Sequence, residues 1–169
     1  MKQIFAPWRM EYIVSKKPEG CVFCDLPRAG VSEETLVLFK GERAFVIMNR
    51  YPYVSGHLMV VPYRHLEHVL LLDPEEWAEM NRLVVSCVQA LKAVYQPHGF
   101  NIGMNVGQAA GAGIHEHIHT HIIPRWTGDN NLVPVMTETR VIPESLEETW
   151  RKLIPEFRKE KKEEKKQES

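Results

Sequence analysis

Four histidines alternate along residues 113–126, Gly-Ile-His-Glu-His-Ile-His-Thr-His-Ile-Ile-Pro-Arg-Trp: His115, His117, His119 and His121. The chain has 8 histidines, so half of them fall in this one short run. Near neutral pH an imidazole can be a base, a nucleophile, a hydrogen-bond donor or a metal ligand. Side chains alternate across a strand, so a strand here puts the four imidazoles on one face. Glu116, Ile118, Thr120 and Ile122 take the other. A merely solvated face needs no histidine, because Thr, Lys or Glu would serve. Two chemistries remain. The first is a metal held by imidazoles. Alternate residues are about 6.5–7 Å apart and i, i+4 about 13 Å. With metal–nitrogen bonds near ~2 Å, an adjacent pair can chelate but the whole set cannot meet at one ion. The second is attack on phosphorus by one neutral imidazole whose other nitrogen is held by an acceptor. Its neighbours would donate to the phosphoryl or leaving oxygen. The preceding Gly107-Gln-Ala-Ala-Gly-Ala-Gly113 loop can aim backbone N–H groups at the same charge.

Cys21-Val-Phe-Cys24 is a second group with chemical potential. A thioredoxin-like redox pair wants a βαβ setting, which the pattern lacks. A zinc site needs two further ligands. Cys87 lies on an apolar helical stripe and reads as core packing. Three cysteines do not make a secreted disulfide framework.

The elements that must position these groups follow from periodicity. Residues 35–39, 43–48, 57–62, 100–106 and 115–123 read as strands, the first two joined by a tight turn at Lys40–Gly41. Residues 49–56, Asn-Arg-Tyr-Pro-Tyr-Val-Ser-Gly, form a loop. Asp73-Pro-Glu-Glu76 opens a long helix, with Asp73 as N-cap and Glu76 at the capping-box spacing. Its apolar stripe runs through Trp77, Met80, Leu83, Val84, Cys87, Val88, Leu91 and Val94, and it ends near Gln96–Gly99. A second helix is expected over 143–159. The pattern predicts an α+β fold with an antiparallel five-stranded sheet, one long central helix and a C-terminal helix.

At 169 residues the chain suits one domain, expected over 1–157, followed by a charged tail, 158–169, read as frayed helix or disorder. The aromatic and apolar segment 4–13 is expected to dock on the domain. A net charge of -1 argues against a general nucleic-acid or membrane surface, so an anionic ligand must be held locally. With neither a spanning apolar run nor a secretory signal, a cytoplasmic protein is expected.

His117-Ile-His-Thr-His-Ile-Ile123 matches the His-x-His-x-His-x-x pattern, with x mostly apolar, and the chain resembles the histidine-triad (HIT) superfamily. Met48–Pro62 is similar to that family's first nucleotide-binding segment, especially in the fragile-histidine-triad branch. Cys-Val-Phe-Cys, residues 105–113 and Pro-Arg-Trp resemble bacterial members. Residues 6–13 and 125–131 resemble the branch with diadenosine tetraphosphate phosphorylases.

The resemblance implies nucleotidyl hydrolases and transferases, with His119 as nucleophile forming a nucleotidyl-imidazole intermediate. It implies that His121 donates to the phosphate, and that His117 lies beside the nucleophile or ligates zinc. Asn49 would bind ribose hydroxyls, His57 would lie near the site, Asn105 would contact phosphate, and Gly111 and Gly113 would present backbone donors. The plainer alternatives are turn chemistry for Asn49 and Asn105 and a satisfied core histidine for His57. The loop lacks the hydroxyl that many members place just before the triad, and His115 is an extra imidazole without a role. Bacterial zinc-bearing members supply the missing ligands: Cys21, Cys24, His65 and His117 would form the structural zinc site, with His68 in reserve.

The implied activity is hydrolysis of a dinucleoside polyphosphate such as diadenosine tetraphosphate, by a homodimer, with Mg²⁺ a further candidate to bridge substrate oxygens. Alternatives are a phosphorylase using orthophosphate, a phosphoramidase acting on adenylyl-amines, and a nucleotide-binding signalling protein without turnover.

Overall fold

The computed structural model describes residues 20–111, 113–129 and 142–167. The docking expected of residues 4–13 and the end of the 125–131 segment lie outside them. The elements are α1 (Val22–Ala29), β1 (Val37–Lys40), β2 (Ala44–Met48), β3 (Leu58–Pro62), α2 (Pro74–Tyr95), β4 (Gly99–Met104), β5 (Thr120–Arg125) and α3 (Leu146–Gln167). The strands form one antiparallel sheet in the order β1-β2-β3-β5-β4. The α+β architecture expected from the sequence is the one observed.

β2 and β3 are buried along their whole length, as central strands covered on both faces must be. The core gathers Phe45, Val46, Leu58 and Val60 from the sheet, Met80, Leu83, Cys87 and Leu91 from α2, and Leu153 and Phe157 from α3. Cys87 is fully buried there, as expected. Trp77 departs from the apolar stripe and is half-exposed, while Glu76 and Glu79 are buried in its place. Each is fully used. Glu76 pairs with Arg64, and Glu79 accepts the backbone N–H groups of Glu42 and Arg43, closing the β1–β2 turn. The Asp73 capping box forms as the sequence predicts. α3 starts later than expected, because Ser145 and Glu148 cap it reciprocally, and it continues to Gln167.

Two differences matter for the site. α1, across the Cys-x-x-Cys, is a helix the hydrophobic pattern did not announce. The last strand is not 115–123: β5 begins only at Thr120. Its pairing with β3 stops at Val60↔Thr120, and β3 ends two residues later at Pro62, which has no N–H to continue the ladder. Residues 115–119 therefore leave the sheet, and Ile118 N–H turns to the Leu66 carbonyl at 2.6 Å.

Gly56 lies just before β3, with φ +77°. A Cβ there would stand 2.8 Å from Leu91 Cδ2 and 3.3 Å from Tyr95 Cε2. Gly56→Ala combines a left-handed backbone penalty with overpacking against a fully buried leucine. It is expected to lower stability by about 2–4 kcal/mol. Urea unfolding measures this, and a loss below about 0.5 kcal/mol would mean the loop relaxes freely.

Candidate active site and metal centre

The loop from β2 to β3 and the entry to β5 bring three imidazoles together. His57, His119 and His121 are all buried. The rings of His119 and His121 are 4.7 Å apart at 76°, and those of His57 and His121 are 5.1 Å apart. Tyr53 lies over His57 with ring centroids 4.6 Å apart.

The hydrogen-bond partners dictate where each proton sits. The Tyr53 backbone N–H can only donate, and it donates to His57 Nδ1 at 3.2 Å. His57 therefore carries its proton on Nε2 and donates to His121 Nδ1 at 2.9 Å. His121 in turn keeps its proton on Nε2, as a donor. His119 Nδ1–H donates to the His117 carbonyl at 2.8 Å, leaving an unprotonated Nε2 with its lone pair. A lone-pair nitrogen and an N–H donor thus sit side by side on adjacent rings.

Burial keeps these rings neutral. It pushes His57 down to about 3, helped by His121, and His121 down to about 4, helped by His119. Burial also lowers His119, against the opposing pull of the His117 carbonyl. The sign for stability follows. Above pH ~6.5 neither the folded nor the unfolded chain protonates His57 or His121, and their neutral form costs nothing. Below it the unfolded chain takes up protons that the folded chain refuses. Stability is therefore expected to fall between pH ~6.5 and ~4, approaching about 1.4 kcal/mol per pH unit for each ring. Urea midpoints at pH 7, 6 and 5 test this; a flat series would mean the rings protonate as freely as in the unfolded chain.

His117 faces the other way. Its Nε2–H donates to the Pro62 carbonyl at 2.8 Å, which leaves Nδ1 as the acceptor. That nitrogen lies 3.3 Å from Cys21 Sγ and 3.7 Å from Cys24 Sγ, and His65 Nδ1 is 3.5 Å from Cys24 Sγ. The four ligand atoms all lie within 4.8 Å of one another. Tetrahedral zinc with bonds of ~2.3 Å to sulfur and ~2.05 Å to nitrogen wants S···N separations of about 3.6 Å. The donor set fits. Burial, then the neighbouring Cys21, raises the Cys24 thiol, so a second thiolate here wants a cation beside it. Cys21, Cys24, His65 and His117 could therefore hold a metal ion. His68 is not among them, since its Nδ1 accepts Leu70 N–H and caps a 3₁₀ turn.

The remaining sequence candidates take these places. Asn49 is half-buried and its Oδ1 accepts Tyr51 N–H at 2.9 Å, the turn chemistry that its position before Pro52 allowed. Asn105 follows β4, and Gly111 and Gly113 are exposed on the loop leading to His115. Arg125 is tied to Asp129 and Asn101, so the guanidinium nearest the imidazoles in sequence is already committed. Sequence reasoning missed Phe23, whose ring packs 5.0 Å from His119 and 5.6 Å from His117. An aromatic between two candidate ligand cysteines was the available signal.

Residues 31–128 match the family model described as HIT domain. The chain belongs to the HIT domain family. This HIT protein is 36% identical over 166 residues to a protein of Mycobacterium tuberculosis named AP-4-A phosphorylase, covering 93% of this chain and 85% of the relative. A structure described as a zinc-bound histidine triad family protein from Mycobacterium smegmatis shares the fold, with TM-score 0.67 and 24% identity over 85% of this chain and 96% of that one. A hypothetical histidine triad nucleotide-binding protein from Sulfolobus tokodaii gives TM-score 0.67 and 26% identity, over 83% and 94% of the two chains.

Proposed function

We propose that this HIT protein transfers a nucleotidyl group from a dinucleoside polyphosphate to orthophosphate through a covalent nucleotidyl-histidine. One observation carries the reading: the lone pair on His119 Nε2 beside the N–H on His121 Nε2, each fixed by its ring's other nitrogen. The first is a nucleophile without need of a separate base, and the second a donor for the oxygen that leaves. The bond between His119 Nε2 and the α-phosphorus forms as the bond from that phosphorus to the bridging oxygen breaks. His121 donates its hydrogen bond to the departing oxygen. The imidazolium that develops on His119 is stabilised by the His117 carbonyl on Nδ1. Phosphate then attacks the same phosphorus, the P–N bond breaks, and His119 returns neutral.

Asn105 and the backbone N–H groups of Gly111 and Gly113 are our candidates for the phosphate contacts, because their loop runs straight into the imidazoles. Asn49 is the candidate for the ribose. Its Oδ1 holds the turn, which leaves the amide nitrogen for a sugar hydroxyl. Zinc is the metal we assign to Cys21, Cys24, His65 and His117. It would supply a fixed tetrahedral junction there, and the reacting atoms meet on other residues.

Orthophosphate as acceptor rests on the extent of the likeness to the relative named AP-4-A phosphorylase; water is the alternative acceptor. Diadenosine tetraphosphate, incubated with and without orthophosphate, separates them. ADP plus ATP, formed only with phosphate, is the expected outcome. AMP plus ATP without phosphate would make the protein a hydrolase. No turnover of this substrate or of an adenylyl-amine would end the enzymatic reading.

A further inference from the structure

His119 owes its tautomer to a single hydrogen bond, Nδ1–H to the His117 carbonyl. One such bond in a neutral ring does not prevent rotation about the Cβ–Cγ bond, which would swing Nδ1 away and let the proton move to Nε2. Side-chain packing is what can oppose that rotation beyond the bond itself. Phe23 is 3% exposed, and its ring lies against His119 at 5.0 Å and 55°, while meeting His117 edge-on at 5.6 Å and 81°. It stands in the first turn of α1, with Cys21 as that helix's N-cap and Cys24 next after it. Cys21 and Cys24 both meet His117 Nδ1. The ring is therefore bracketed along the chain by two residues that converge on one point, and that point is the side chain whose carbonyl holds His119.

We propose that Phe23 is a positioning residue for His119: its ring, anchored through Cys21 and Cys24, keeps the His119 imidazole against the His117 carbonyl with Nε2 unprotonated. This rests on the reading of His119 as nucleophile. The cluster of Cys21, Cys24, His65 and His117 then does more than join α1 to the sheet, because fixing the two sulfurs also fixes the wall of the reacting ring. Packing is the means: a buried aromatic ring tilted at 55° with its centroid 5.0 Å away hinders the imidazole from tilting and turning out of line with the His117 carbonyl.

The test uses the full chain, with Phe23→Ala, Phe23→Leu and Cys24→Ser. Imidazole ¹⁵N NMR reports the tautomer of His119 whether or not that residue is the nucleophile. The wild type should show one Nδ1–H form. In Phe23→Ala, zinc content should be unchanged, the two tautomers should mix, and kcat should fall by about 10- to 100-fold. KM should move by less than about threefold, because substrate contacts are not the ones removed. Phe23→Leu, which restores bulk, should recover most of the rate and the single tautomer, and it serves the same measurement if Phe23→Ala does not fold. Cys24→Ser should mix the tautomers with Phe23 still in place. A single Nδ1–H form in Phe23→Ala overturns the proposal. So does a raised KM with kcat intact, which would make Phe23 a substrate contact. Failure of the nucleophile reading would appear separately, as turnover that survives replacement of His119.

Discussion

His119→Asn is expected to lower turnover of diadenosine tetraphosphate by about 10⁴-fold or more, a barrier increase of about 5.5 kcal/mol. Asparagine keeps much of the ring's size and polarity but has no lone-pair nitrogen to attack with. The effect is large because covalent catalysis is all-or-none at the nucleophile: with no bond to phosphorus, the reaction must proceed by direct transfer, without an attacking nitrogen held in place by the fold. The surrounding contacts survive the change. His57 and His121 keep their mutual hydrogen bond, and the His117 carbonyl merely loses one donor. Substrate binding should therefore change little, and the loss should fall on kcat. A second observable goes with it. Acid-labile, base-stable nucleotide attached to the peptide that holds residues 115–125 should be trapped in the wild type and absent from the variant. An unchanged rate, or trapped nucleotide elsewhere on the chain, would remove His119 from the role.

Cys24→Ser should have the largest effect on stability. Cys24 Sγ lies within ligand reach of both His65 and His117, so its loss opens two sides of the cluster. Serine is a poor ligand for zinc, because its hydroxyl does not ionise near neutral pH and is hard where thiolate is soft. A metal bound a thousandfold above its Kd contributes about 4.1 kcal/mol to the folded state. For a domain of this size that corresponds to a fall in Tm of about 8–16 °C. Metal analysis should find about one zinc per wild-type chain and much less in the variant. Chelation of the wild type should reproduce the variant's Tm, and chelation of the variant should add nothing. Full zinc with an unshifted Tm would exclude Cys24 as a ligand. Cys87 provides the internal control: it is fully buried in the core, away from this cluster, and its thiol should stay unreactive throughout.

Much of this arrangement was legible in residue types and spacing. Sheet, long helix and C-terminal helix follow from hydrophobic periodicity and from the Asp73 capping signal, since both are local and need no partner. Cys21-x-x-Cys24 offered half of a candidate metal site for the same reason, its thiols being close in the chain, though the spacing alone did not single out metal. His65 and His117 came only from likeness to a family, because a distant ligand leaves no trace in local spacing. The strand assigned to 115–123 was half right. Alternation does put His119 and His121 together, but Pro62, lying across the sheet, ends the ladder at Thr120 and releases His117 toward the cysteines.

What the sequence by itself determined is therefore an inventory: imidazoles enough for nucleophile and donor, thiols enough for half a metal site, and elements able to carry them. Only the tertiary structure decided which nitrogen does what. Two of the four tautomers are set from far along the chain, by His57 for His121 and by the Pro62 carbonyl for His117, and a third by the Tyr53 amide across the loop before His57. His119 is the exception, bonded to the carbonyl two residues back, with Phe23 of α1 packed beside it. A neutral imidazole is symmetric in composition and asymmetric only in its hydrogen bonds. Those bonds depend on chain folding, which is why four alternating histidines could announce chemistry but not divide it among themselves.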